Sequence, residues 1–135
     1  MGFENYSVSE AHINGPEKLH IDRSKRKIKY HLQGVGFQDS DTLQYVAYIP
    51  ALEISGYGET KQKAEDMASF SLQQIFDQFL TMSHVELSAS LRELGWDESK
   101  YFEKYFSKTY LDDEGILKNL NLQGGIKIER FSVAA

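Results

Sequence analysis

Apolar and polar residues alternate along the first half of the chain and then change period. In "KLHID" Leu19 and Ile21 stand at strand spacing. In "KIKYHL" Ile28, Tyr30 and Leu32 alternate with Lys27, Lys29 and His31, the pattern of a half-buried strand with one basic, wet face. The turn-forming "DSDT" at Asp39–Thr42 separates this run from a second one, Leu43 to Ile49, so the two are expected to pair as an antiparallel hairpin. Pro50 cannot donate to a ladder and ends the second strand, and "EISGYG" supplies a short third extended piece. From Thr60, a suitable N-cap, the period becomes helical. Ala64, Met67, Ala68, Leu72, Ile75, Phe76, Phe79 and Leu80 form the apolar stripe, and Lys61, Lys63, Glu65, Gln73 and Gln78 lie opposite. A stripe of that kind needs a sheet to cover, and the upstream hairpin provides one.

The remainder is less regular. "ELSASLREL" predicts a weakly amphipathic helix through Leu87, Leu91 and Leu94, broken at Gly95. "ESKYFEKYFSK" predicts a second short helix carrying Tyr101, Phe102, Tyr105 and Phe106. "DDEG" at Asp112–Gly115 is a turn, and "IKIERFSV" predicts a last strand with a bulge near Glu129 or Arg130. The expected fold is α+β: an antiparallel sheet of three to four strands, one long helix across it, two short helices and a C-terminal strand. Residues 1–135 are expected to form one domain, with 1–17 a flexible arm, 18–82 the sheet-plus-helix core and 83–135 a helical extension with a closing strand. The second sheet face should be covered by Trp96 and the aromatic stripe.

Composition narrows the function classes. The chain has 135 residues, no cysteine and a formal net charge of −5. Disulfides, thiolate metal sites and cysteine nucleophiles are therefore excluded. An acidic balance disfavours general nucleic-acid binding and suits a basic partner. The N-terminus has no secretory apolar run, and Tyr6 stands where a myristoylation motif needs Ser or Thr. With no run of about 18 apolar residues, no membrane association is expected. A cytoplasmic protein is the simplest expectation.

No catalytic set assembles from the residue pattern. His12, His20, His31 and His84 form no metal-binding pair. Asp39 and Asp41 belong to a turn and lack the further oxygen ligands of a calcium loop. Glu53 and Glu59 lack companion carboxylates on the first strand for two-metal chemistry. "GVG" and "GYG" lack the residues of a phosphate loop. No enzyme activity and no cofactor are expected.

Tyr48, Ile49, Pro50 and Leu52, then Gly58, Glu59 and Thr60, then Ala64 and Ala68, place a Tyr-hydrophobic-Pro strand end and a Gly-acid-Thr helix start in fixed order. Over roughly residues 27–82 this pattern resembles the HicB-type antitoxin family, although "EIS" stands where the family carries a Pro-Gly-Cys-like element. The resemblance implies a partial ribonuclease H-like sheet with one helix. It also implies a role in covering a small basic ribonuclease toxin, often as a dimer. The contact surface would be Ala51, Leu52, Glu53, Ile54 and Tyr57. Self-association is expected through "IKIERFSV" pairing with its own copy.

An alternative comes from Leu94, Gly95, Trp96, Ser99, Tyr101, Phe102, Phe106 and Lys108, which are similar to the helix-turn-helix of AraC-type regulators over about 87–108. That similarity implies DNA reading, with Lys100, Lys104 and Lys108 as contacts, supplemented by Arg26 and Lys29 of the basic run "RSKRKIK". The same aromatics also suit an ordinary core, and the same lysines also suit an edge protected against aggregation. A third alternative is a HicB-like domain with some other function.

Overall fold

The computed structural model describes residues 7–9, 17–98, 102–104 and 128–135. The elements are β1 (Ser7–Ser9), β2 (Glu17–Asp22), β3 (Lys27–Gln38), β4 (Tyr45–Ile49), a 3-10 turn (Pro50–Leu52), β5 (Ile54–Gly58), α1 (Lys61–Thr81), α2 (His84–Glu93), β6 (Asp97–Glu98), β7 (Phe102–Lys104) and β8 (Ile128–Ala134). The fold is α+β, with an antiparallel sheet, the long helix α1, a second helix and a C-terminal strand, as the periodicity predicts. The described strands run β1-β8-β3-β2-β7-β6, with β4 on β3 and β5 on β4.

The long strand β3 organises the sheet. Its first half, Lys27 to His31, pairs with β2, and its last part, Val35 to Gln38, pairs with β4. On its other edge β8 pairs continuously from His31 to Phe37. The β3–β4 connection closes as the turn residues require. Asp39 accepts from Asp41 N at 3.0 Å and from the Thr42 hydroxyl at 3.2 Å, and its own N–H donates to Gln44 O at 2.8 Å. Between β2 and β4 the ladder on β3 is interrupted. Stepping the β4 register back from Val35–Tyr48 brings Gln33 opposite Pro50, which has already turned away into the 3-10 turn. The Gln33 N–H is satisfied instead by the buried carboxylate of Glu17, at 2.6 Å from Oε1.

Thr60 caps α1 by accepting from Lys63 N at 3.1 Å. The helix buries Ala64, Ala68, Leu72, Phe76 and Phe79 against Leu19, Tyr30, Leu32, Ala47 and Ile49 of the sheet. The rings of Tyr30 and Phe76 meet at 4.9 Å and 52°. The buried row is narrower than the periodicity suggests: Ile75 is only half-buried and Met67 is 38% exposed. The cause is the close approach of α1 to β5. A Cβ on Gly56 would lie 2.3 Å from both Ala64 O and Ala68 N. Glycine on the strand and alanine on the helix therefore bring backbone against backbone, and residues flanking that row stay outside. Gly58 serves the same approach, since its Cβ would lie 2.6 Å from Lys63 Cβ, and it has no positive φ. The unusual angle in this connection belongs to Glu53, at φ 54°. Gly56→Ala should therefore lower stability by ~1–3 kcal/mol through overpacking, read as a shift of the urea midpoint at unchanged slope.

Four expectations are corrected. β8 runs in one unbroken register with β3 and has no bulge, so Phe131 and Val133 face α1 while Arg130 and Ser132 face away. Residues 1–17 are not wholly an arm, because Ser7–Ser9 pairs with β8 and Glu17 opens β2. The aromatic segment is not helical where described: Phe102–Lys104 is a strand between β2 and β6. Aromatic residues suit strands as well as helices, and the free edge of β2 decides the outcome. Finally, Trp96 and Phe102 join the core beneath α1 and do not cover the opposite face, on which Gln33, Val35 and Ser132 are nonetheless buried. Tyr101, Tyr105 and Phe106, and the turn at 112–115, lie outside the described residues.

Candidate functional site

Ile49 and Pro50 end β4, and the chain reverses within a few residues. Glu53 takes the left-handed conformation and its N–H donates to Pro50 O at 3.1 Å, returning the chain as β5. This reversal turns Ala51, Leu52 and Ile54 inward, with exposures of 0, 3 and 6%. Those three cannot be contact residues of an exposed surface, which corrects their assignment. Ala51 has a structural role: its carbonyl accepts from Trp96 Nε1 at 2.9 Å and from Lys104 Nζ at 3.4 Å. Glu53 and Tyr57 remain at the surface, with Tyr57 54% exposed.

Tyr57 stands on an edge. Among the described residues β5 pairs only with β4. The Tyr57 N–H donates to Met67 Sδ at 3.5 Å, a weak partner for a backbone donor. Beside it on α1 stand Met67 and, three residues on, Phe70, which is 57% exposed. Glu53 and Glu59 are exposed at the two ends of β5, and Asp66 precedes Met67 on α1; Lys63 pairs with Glu59 at 3.6 Å. A strand edge with no partner strand among the described residues and an exposed aromatic-and-methionine patch thus lie side by side, with carboxylates in the same segments. Sequence reading missed Phe70 and placed Met67 in the core stripe. A phenylalanine on the polar face of α1 was the available signal.

Among the described residues Lys104 is not brought together with the other nucleic-acid candidates, Arg26 and Lys29. Arg26 lies exposed in the β2–β3 turn, and Lys29 is exposed on β3 opposite His20. Lys104 is at the far end of β2, opposite Glu17, half-buried and donating to Leu94 O. Burial pushes its ammonium below the usual lysine range, against the pull of Glu17 and Glu53. It is a half-buried tie between β7, the end of α2 and the 3-10 turn, not a phosphate contact. Lys100 and Lys108 lie outside the described residues. The described part of 87–108 is α2 followed by the β6–β7 hairpin, so no recognition helix stands at 97–98 or 102–104.

Among the described residues no group of three or more His, Asp or Glu is placed to hold a metal ion. His84 instead pairs with Glu98 at 3.2 Å, and Ser88 donates to the same carboxylate at 2.6 Å, fixing α2 to β6. No helix among the described residues is long and apolar enough to cross a membrane. No known protein family, curated protein or solved structure matches the chain.

Proposed function

We propose that the protein is a non-catalytic, HicB-like binding module that acts as an antitoxin-like mask for a small basic protein of ribonuclease type. The observation that supports this reading is the β5 edge, without a partner strand among the described residues, beside exposed Tyr57, Met67 and Phe70, with Glu53, Glu59 and Asp66 in the same segments. A partner strand added to such an edge gains main-chain hydrogen bonds. Its apolar side chains would rest on Tyr57, Met67 and Phe70, and methionine adapts to their shape. Its basic residues would meet Glu53, Glu59 and Asp66, which favours cationic over acidic partners and speeds encounter. Self-pairing through β8 would be confined to Ile128–Phe131, because β3 occupies one edge and β1 covers Ser132–Ala134 of the other.

The test is expression of the tagged full chain in its native host, followed by co-purification and a binding titration with the basic protein retained. The wild type should retain a basic protein in stoichiometric amount, more weakly at high salt. Phe70→Glu should weaken binding at least about tenfold, as a central aromatic anchor does. Val85→Glu, at a more exposed apolar residue on α2, should not. Equal retention by all three would remove the reading. Sedimentation showing a dimer lost in Phe70→Glu would assign the edge to a second copy instead.

A further inference from the structure

Where α1 begins, a cavity of about 230 Å³ lies between its first turns and strands β3, β4 and β8. Its origin is a coincidence of small residues. Gly36 pairs with Ala47 on one side and with Glu129 on the other, and Ala64 lies above on the helix. A Cβ at Gly36 would meet only Val46 O at 3.5 Å and the Phe131 ring at 3.9 Å, so the floor is open. The Phe131 ring supplies an aromatic wall. It is held over Gly34, where a Cβ would lie 2.2 Å from Phe131 Cζ. The wall is therefore fixed while the floor is bare.

The mouth carries Lys61, Glu65 and Glu129. Lys61 forms an ion pair with Glu129 across it. That leaves Glu65, one helical turn from Lys61, as the carboxylate in excess, half-buried at the edge of an apolar space. Burial raises its pKa; Glu129 and Asp66 push the same way, and Lys61 opposes them. A bound cation would relieve that repulsion, and a bound anion would add to it.

We infer that this cavity is a binding site for a small organic cation, a single apolar ring or short chain bearing a protonated amine. The body would lie on Gly36, Ala47 and Phe131, and the ammonium would reach Glu65 and Glu129. The volume is below the ~300 Å³ at which drug-sized ligands begin, so the ligand is of one-ring size. This site is distinct from the β5 edge and does not depend on the reading given to that edge.

The experiment is an amide chemical-shift titration of the full chain with three probes of one shape: 2-phenylethylamine, 2-phenylethanol and phenylacetate. The amine should give saturable shifts centred on Gly36, Ala47, Glu65 and Phe131, with affinity on the order of millimolar for so few atoms. The alcohol should bind at least tenfold more weakly, and the anion should give no saturable shift. Glu65→Gln should weaken the amine severalfold while leaving the alcohol unchanged, which separates lost charge from lost fold. Amine binding should also fall as pH drops through the raised pKa of Glu65; Glu129, Lys61 and Tyr45 are the other ionisable side chains that line the site, and Asp66 is the neighbouring charge on α1. Equal binding of amine and anion, an unchanged amine affinity in Glu65→Gln, or no saturable shift with the amine would each overturn the proposal.

Discussion

Deletion of residues 128–135 should abolish cooperative unfolding and leave an insoluble or molten chain. β8 lies between β3 and β1, so its loss opens two ladders at once. It also removes Phe131 and Val133, which are 7% and 0% exposed, and uncovers Leu32 and Gly34 beneath them. Full burial of each of these two side chains contributes ~1.5–3 kcal/mol, before any ladder bond is counted. Against a total stability of about 5–15 kcal/mol, that loss and the broken ladders consume the margin. The measurement is a urea melt with an amide spectrum of the truncated chain. Collapsed dispersion and no sigmoidal transition are expected. A well-dispersed spectrum would show that the N-terminal sheet and α1 fold without the closing strand, and would defeat the view that residues 1–135 form one domain.

The contrast between α1 and its surroundings shows what the sequence carries. A period of 3.6 with Thr60 before it specifies a helix locally, and the structure has it from Lys61 to Thr81. Alternation likewise specifies β2 to β5. What alternation does not carry is the partner on the other edge. β8 could be recognised as a strand, but its place between β3 and β1 is set by pairing across about a hundred residues. Phe102–Lys104 shows the stronger failure, because a short aromatic run fits either period until the edge of β2 captures it. The candidate surface was half legible. Glu53 and Tyr57 could be named because glycines and a proline mark the reversal. Ala51, Leu52 and Ile54 could not be sorted from them, because a left-handed residue at 53 changes which side chains turn inward.

Glu17 was the least legible residue, reading as the polar end of an arm and proving to be wholly buried. It should make the protein less stable as pH rises. Its Oε1 accepts the Gln33 N–H, and its Oε2 has no hydrogen-bond partner among the described residues. Burial raises its pKa to about 7; the Gln33 N–H and the Lys104 ammonium, opposite it on β7, pull the other way without prevailing. An unfolded glutamate titrates near 4.5. Between those values the folded chain binds a proton that the unfolded chain has lost, so stability is full below the lower value and is lost as pH rises through the upper one. The interval corresponds to about 3 kcal/mol. Glu17→Gln keeps an acceptor for Gln33 and removes the ionisation. Its urea stability, compared with the wild type across this range, should match at the acid end and exceed it by about 3 kcal/mol above neutrality. Glu17→Ala should instead be destabilised by ~1–3 kcal/mol relative to Glu17→Gln at every pH, because it removes the carboxyl oxygen that accepts from the Gln33 N–H. Parallel pH curves for wild type and Glu17→Gln would show that the buried carboxyl does not titrate in this window.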